Sequence, residues 1–373
     1  MPTIFNKKPR VALLHDYLNQ YGGAERVLET FIELFPDAPI YTLFYDKELM
    51  GGRFNNKIIK TSFLDKKIIR RNHRFFIPLM PKAAESIDLG DNYDFIISDS
   101  AGWSKGINYK NAVHINYLHC PLRYAWEPKR YLDTLIPEYL IKSAGPIIKY
   151  LRDWDKETGL KPDILITPSK FTAEKVGRFY NRDTKILHPP IDTDIFFYEP
   201  SIEEKIEPYF LTFGRIVHQK RFDLLVSAFN KLDVKLKIVG SGLDIKNIER
   251  IKSSPGIDLL NWVEDNELRK LISGAKATIF AQIEDFGMVA AESIACGTPV
   301  IAFNEGGFKE IIKEGENGIF FNEQKEESII DALKKFEKTK FDREAVASSS
   351  KQFHKKTFIK DFKKILSDAG LYI

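Results

Sequence analysis

Midway along the chain, two adjacent prolines interrupt a strand–helix rhythm that otherwise runs from end to end. The interruption is His188-Pro-Pro-Ile-Asp-Thr-Asp-Ile-Phe-Phe-Tyr-Glu-Pro200, and the rhythm restarts immediately after it. Proline lacks a backbone donor and holds the residue before it extended, so this stretch reads as a linker. Ahead of it, strand-like runs fall at 10–15, 94–98, 114–118, 163–167 and 185–188. A helical pattern covers 24–35, and one or two helices cover 131–155, broken near Gly145-Pro146. Behind it, strands are expected at 209–213, 236–239, 258–260, 277–281, 299–302 and 318–321. Helices are expected at 223–231, 266–273, 287–296 and 326–337, with a basic helix over 353–369. Such βαβ alternation predicts an α/β chain of two open, mostly parallel sheets covered by helices on both faces. A cleft between two such sheets is a default ligand site, because strand C-terminal ends from both halves can face it.

Composition narrows the class. The 373 residues are 43% hydrophobic and 29% charged, enough apolar material for two cores and unlike a disordered chain. The net charge of +4 lies in the first half: residues 1–199 hold 29 Lys/Arg against 25 Asp/Glu, and residues 200–373 hold 27 of each. That excess is too small for a dedicated nucleic-acid binder and compatible with an anionic ligand or membrane surface. Cys120 and Cys296 stand far apart, which argues against a disulfide framework or a zinc module. The N-terminus has no apolar segment of the kind a signal peptide carries, and no run reaches the roughly 18 apolar residues of a spanning helix. The expectation is a soluble, cytoplasmic protein. No repeat of 20–50 residues is present.

Several segments could carry chemistry. In Glu284-Asp-Phe-Gly-Met-Val-Ala-Ala-Glu292 the first carboxylate is expected at a strand end. The N–H groups of Phe286, Gly287, Met288 and Val289 would open a helix, a terminus that attracts phosphate or sugar oxygens. Glu292, early in that helix, could reach a ribose diol; a solvated face plus an N-terminal charge explains the same spacing. Phe213-Gly-Arg-Ile-Val-His-Gln-Lys-Arg221 ends a strand in glycine and follows it with Arg215 and Lys220. Fixed cations there can hold a diphosphate and stabilise charge leaving in a transition state, or form a surface basic loop. Gly240-Ser-Gly242 is a tight strand-to-helix turn without the full dinucleotide fingerprint. Gly22-Gly23 could let a diphosphate approach the backbone or permit a sharp turn.

Further segments in the first half, and three resemblances of shorter reach, remain. His119, Arg123 and Trp126, in the loop after another expected strand, suit a sugar or acceptor surface, or a packed core histidine with its aromatics. His15 and Asp16 end the first strand, and Asp16 is a candidate for the acceptor side. Asp192-Thr-Asp194 could hold a divalent metal, but its place among prolines favours an Asx turn. Asp285-Phe-Gly287 echoes a kinase motif without the accompanying glycine-rich loop or catalytic segment. Lys66-Lys-Ile-Ile-Arg-Arg-Asn-His-Arg-Phe-Phe-Ile77 reads either as an anionic-lipid contact or as an ordinary amphipathic helix.

Taken together, the early Gly-Gly loop, the Arg/Lys loop and the E-x7-E element resemble the family-four retaining glycosyltransferases of the GT-B fold, and the likeness runs over essentially the whole chain. Cys296-Gly-Thr-Pro-Val-Ile-Ala-Phe-Asn-Glu-Gly-Gly-Phe-Lys-Glu310 resembles that family's downstream segment. Gly22-Gly-Ala-Glu-Arg-Val-Leu-Glu29, Phe35-Pro-Asp-Ala-Pro-Ile-Tyr-Thr-Leu-Phe-Tyr45 and Arg123-Tyr-Ala-Trp126 resemble bacterial mannosyltransferases of O-antigen or exopolysaccharide assembly that use GDP-mannose. The resemblance implies an acceptor-side domain over 1–190 joined by the C-terminal helix 354–373, and a donor-binding domain over 191–353. It also implies that Arg215 and Lys220 hold the donor diphosphate and that Glu284 contacts the transferred sugar. Glu292 would bind the ribose, and Trp262 and Val263 would flank the base. His119 would lie near the transferred sugar, and Gly22-Gly23 would form the diphosphate loop. Neither a metal nor another cofactor is expected beyond the nucleotide sugar. The acceptor would be a saccharide, either polyprenyl-diphosphate-linked or soluble, with peripheral contact at the inner membrane face. Competing readings are a UDP-sugar transferase, a nucleotide-sugar epimerase or phosphorylase, and a non-catalytic partner subunit. A glycoside hydrolase, which needs two carboxylates flanking one bond, fits least.

Overall fold

A computed structural model describes residues 9–132, 143–200 and 208–371. The expected helical stretch falls in part on 133–142, outside the described residues, as does the N-terminal segment 1–8. Two compact units are present: the described residues of Met1–Pro190 with Phe358–Ile373, and Ile191–Thr357.

The first unit is built on a seven-stranded sheet. Its strands are β1 (Val11–His15), β2 (Ile40–Thr42), β3 (Ile59–Thr61), β4 (Phe95–Ser100), β5 (Val113–Leu118), β6 (Ile164–Thr167) and β7 (Lys185–Ile186). They run in the order 3-2-1-4-5-6-7 with every pair parallel. β1 is apolar along Val-Ala-Leu-Leu because both of its faces are covered. Val11 and Leu13 enter one core while Ala12 and Leu14 enter the other. The helix Lys355–Asp368 packs into the first of these cores through Phe358, Phe362 and Leu366. These residues are spaced four apart on one stripe, and the rings of Phe358 and Phe362 meet Phe31 edge-on at 5.6 and 5.2 Å.

A six-stranded parallel sheet forms the second unit: β8 (Tyr209–Phe213), β9 (Lys235–Val239), β10 (Ile257–Leu260), β11 (Ala277–Phe280), β12 (Val300–Phe303) and β13 (Gly318–Phe321). Its order is 10-9-8-11-12-13. Along β8, Tyr209, Leu211 and Phe213 enter one core and Phe210 the other, the two-residue period of a strand.

Four local readings are corrected. The break expected near Gly145-Pro146 is present, a turn at Ala144 between helical Ser143 and a new helix, but that helix runs from Gly145 to Leu160, past the expected end at Asp155. Proline is harmless in a first turn, whose N–H groups have no intrahelical partner. The stretch 191–200 is not a bare linker, since Ile191 and Phe196 are buried in the second unit's core and the Ile191 N–H donates to the Phe353 carbonyl at 2.7 Å. β2 and β3, three residues each, had no legible pattern. The segment 66–77 is no single amphipathic helix: a short helix Lys67–Asn72 gives way to a 3-10 turn, His73–Leu79, that contains Pro78.

Truncating Phe362 to Ala should destabilise the first unit by about 3–5 kcal/mol, the usual cost of an aromatic cavity. Urea unfolding followed by circular dichroism and fitted as two transitions should show only the first unit's transition moving.

Candidate active site

In each sheet the strand order reverses once, between β1 and β4 and between β8 and β11. Connections leave such a pair in opposite directions, so a crevice opens beyond its C-terminal ends. The chemistry-bearing residues gather at these two places.

In the second unit, β8 ends at Phe213 and Gly214 leads to Arg215, which is exposed. A 3-10 turn, His218–Lys220, brings the Lys220 ammonium directly onto Oε1 of Glu284, and Gln282 Nε2 donates to the same oxygen at 3.1 Å. Glu284 lies four residues beyond the end of β11, not at a strand end as expected. Its loop is held instead by the segment after β12, where the Gly307 N–H donates to the Glu284 carbonyl at 2.8 Å. Phe286 is buried and anchors the loop in the core. Gly287 follows at φ 107°, and a side chain there would overlap the Phe308 ring, so the helix Met288–Ala295 can begin only after a glycine. Met288 and Val289 pack partly buried against that core, and Glu292 sits in the helix's second turn with 6% of its surface exposed.

Gly240 and Gly242 are required by packing. A Cβ on Gly240 would lie 1.9 Å from the Gly214 carbonyl oxygen, and one on Gly242 would lie 2.1 Å from that of Ile216. Both glycines thus brace the loop that carries Arg215. Trp262 presents an open indole face, 61% exposed, while Val263 beside it packs on the core.

The first unit's crevice contains a cluster that the sequence reading only touched. His15, at the end of β1, places Nδ1 2.9 Å from Asp99 Oδ2 and Nε2 3.3 Å from Glu25 Oε1. The other oxygen of Asp99, Oδ1, lies 2.5 Å from Nε2 of His119. His119 is therefore neither a surface group nor a wholly packed one: its side chain is 16% exposed, its ring sits edge-on to Tyr117, and its Nε2 is committed to a buried carboxylate. Asp99 carries no distinguishing signal in the sequence, because in Phe-Ile-Ile-Ser-Asp-Ser it looks like any polar strand end.

Burial acts to lower the His15 pKa, but the hydrogen bonds and charges of Asp99 and Glu25 outweigh it and raise the group to about 10. For Asp99, burial acts upward, and the charges and hydrogen bonds of His119 and His15 prevail and hold it below the ordinary carboxylate value. Gly22 sits at φ −168°, open to any residue, and neither Gly22 nor Gly23 has positive φ. The turn itself does not demand these two glycines, which removes the physical basis of the sharp-turn reading.

Two acceptor-side expectations are corrected. Asp16 is buried and turns its carboxylate onto the loop after β4, accepting from Ser100 Oγ and from the N–H groups of Ala101, Trp103 and Ser104 at 2.7–3.0 Å. That carboxylate organises a loop. Trp126 stacks on Phe179 with ring centroids 4.4 Å apart and donates its indole N–H to Asp155 at 2.7 Å, so it is a packing residue. Asp155 also receives Lys105 at 2.6 Å, Tyr180 at 2.7 Å and the Leu122 N–H at 3.2 Å, a buried hub that fixes the 119–126 loop. Arg123 is half-buried with its guanidinium over Tyr131. Asp192 accepts from the Asp194 N–H at 3.1 Å, the Asx turn anticipated for that pair. Among the described residues, no group of three His, Cys, Asp or Glu is disposed to hold a metal ion.

Comparison with known proteins bears on this geometry. A family model described as Glycosyl transferases group 1 matches residues 196–353, which lie within the second unit. The chain spans about half the length of the curated relatives it matches. One, an uncharacterized glycosyltransferase of Methanocaldococcus jannaschii, is 32% identical over 188 residues, 44% of this chain and 48% of the relative. Another, a GDP-mannose-dependent alpha-(1-6)-phosphatidylinositol monomannoside mannosyltransferase of Mycolicibacterium smegmatis, is 26% identical over 192 residues, 44% of this chain and 50% of the relative. Among solved structures, Anabaena HepE in complex with UDP-glucose aligns at 17% identity with a TM-score of 0.69, covering 96% of this chain and 99% of its own. That likeness shows the fold: two Rossmann-like parallel-sheet units of the GT-B type.

The pKa of His15 sets a pH signature. A histidine raised from 6.5 to about 10 contributes stability that is complete below pH 6.5 and is lost as pH rises through about 10. The stability difference between wild type and His15→Gln, measured by urea unfolding across pH 6–10, should be constant at the acid end and shrink toward pH 10. A difference that does not change with pH would contradict a charged His15.

Proposed function

We propose that the chain is a retaining glycosyltransferase that moves a hexose, mannose from GDP-mannose, onto a saccharide acceptor in surface-polysaccharide synthesis. The observation that carries the reading is the convergence of Arg215, Lys220 and Glu284 at the second sheet's reversal point, beside the start of the helix Met288–Ala295. Cations, a carboxylate and a helix terminus in one crevice suit a sugar bonded to a diphosphate. In this mechanism Arg215 and Lys220 stabilise the departing diphosphate as positive charge builds on the sugar ring. Glu284 holds the sugar, and the diphosphate accepts the acceptor's proton. Glu292 takes the ribose, Trp262 and Val263 the base, and His119 with Gly22-Gly23 the sugar and diphosphate from the first unit. A dedicated metal is not needed where two side-chain cations serve.

Support for the guanine base and for mannose comes from the named mycobacterial relative. The UDP-glucose held by the HepE structure favours a second reading, the same transfer from a UDP-sugar. A thermal-shift panel separates them. A ligand at 100 times its Kd adds about 2.7 kcal/mol of stability, well within detection. GDP and GDP-mannose, with or without EDTA, should raise the melting temperature more than uridine nucleotides; the reverse order would keep the transfer and remove the mannose. No response to any nucleotide would favour the partner-subunit reading.

Removing a cation that acts on leaving-group charge should lower kcat more than it weakens donor binding. Lys220→Ala should lose roughly 100- to 1,000-fold in kcat, the scale seen when one transition-state donor is deleted. Weak donor binding with normal turnover would contradict the assignment.

The lipid contact has a surface to rest on. Ile68, Phe75 and Leu79 are exposed, Phe75 by 80%, beside Lys66, Lys67, Arg71 and Lys82, and residues 66–84 contain no Asp or Glu. Among the described residues, no helix is long and apolar enough to cross a membrane. Exposed apolar groups interleaved along the chain with cations suit an anionic interface. The protein should co-sediment with anionic vesicles and not with neutral ones, and Phe75→Ser with Lys67→Glu should abolish this.

A further inference from the structure

We propose that His15, clamped between Asp99 and Glu25, positions His119, so that the chain Glu25–His15–Asp99–His119 holds one edge of the His119 ring and presents its Nδ1 to the ligand. The inference rests on the transferase reading for what the ligand is, and on geometry for how the ring is held.

A carboxylate can only accept hydrogen bonds, so each imidazole nitrogen facing one must carry a proton. Both nitrogens of His15 face carboxylates, which makes it a donor on both sides. Asp99 is engaged at both oxygens, one by His15 and one by His119, and cannot turn toward either without releasing the other. Four elements are tied by these three contacts: the end of β1, the first turn of the helix Gly23–Leu34, the end of β4 and the residue after β5. The backbone of His119 is fixed as well, its N–H donating to the Ser100 carbonyl at 2.8 Å. Side-chain exposure is 3% for His15, 5% for Glu25 and 1% for Asp99, against 16% for His119. Only the last member reaches outward. Among the described residues its Nε2 has Asp99, its ring has Tyr117, and Nδ1 has no hydrogen-bond partner. At the other end of the chain, Oε2 of Glu25 lies 3.4 Å from where a Cβ on Gly22 would stand, so the cluster extends beneath the Gly22-Gly23 loop. His15 thereby places a cation between two buried carboxylates, directly behind a loop proposed to face a diphosphate.

Asp99 and His15 act through His119, so the test must separate positioning from mere support. With the full-length chain and the nucleotide sugar that stabilises it, Asp99→Asn should lower kcat about 100-fold, the scale of a misplaced contact, while the donor KM changes less than threefold. His119→Gln should do the same, and the double variant should be no worse than His119→Gln alone. Wild-type kcat in Asp99→Asn, or losses that multiply in the double variant, would overturn the proposal. Should Asp99→Asn fold poorly, nitrogen-15 imidazole spectra of the wild type decide the matter: His119 must show a protected Nε2–H and His15 two protected N–H groups. A rapidly exchanging Nε2–H on His119 would refute the clamp. A wild type inactive with every donor and acceptor would count against the transferase reading, and these spectra would still decide the clamp.

Discussion

Parallel pairing of β1 with β4, and of β8 with β11, is the constraint on which the rest of this molecule depends. Strands that are neighbours in a sheet but not in sequence must send their connections to opposite sides, and the backbone beyond their C-terminal ends is left uncovered. Everything placed there follows from short loops leaving those ends. His15 and Asp99 stand at the ends of β1 and β4 with their carboxylate–imidazole contact already made. Arg215 and Glu284 leave β8 and β11, and one 3-10 turn is enough to bring Lys220 onto Glu284. The same topology, repeated in two units of one chain, generates two prepared crevices from one principle.

Both crevices hold charge in a low-exposure setting, and they manage it differently. In the first unit the charges are compensated internally: two carboxylates flank one imidazolium, and burial is outweighed by the partners it brings together. Breaking such a set by removing one member leaves an uncompensated buried charge, which is why these residues are tied to so many elements. In the second unit Lys220 and Glu284 are 24% and 18% exposed, shielded enough to interact strongly and open enough to exchange partners. A cation that can move from a carboxylate to a phosphate is a natural way to admit an anion. Glycines 240 and 242 brace the backbone beneath Arg215.

Much of this was legible in the sequence for a definite reason. Strands covered on both faces are continuous apolar runs, so β1, β8 and β11 announce themselves, whereas β2 and β3 are too short to show a period. Pro146 marked a helix boundary legibly, because a residue that cannot continue one helix is tolerated in the first turn of the next. Arg215, Lys220 and Glu284 stand out as candidates from residue type and their place after strands. Asp16 and Trp126 misled because a carboxylate or an indole in a loop looks the same whether it awaits a ligand or satisfies the protein's own N–H groups and carboxylates. Asp99 and Asp155 were missed for the converse reason, since their importance lies in partners from distant parts of the sequence, 84 positions away for His15 and 50 for Lys105.

The central claim is that the crevice beyond β8 and β11 receives the diphosphate of a nucleotide sugar. A crystal structure of the full chain soaked with GDP, and in parallel with UDP, tests it most directly. The account predicts a diphosphate against Arg215 and Lys220, with the Lys220 ammonium drawn from Glu284 to a phosphate oxygen and the base beside Trp262. A nucleotide bound elsewhere, or bound here with the Lys220–Glu284 contact intact and the phosphates turned away, would contradict it.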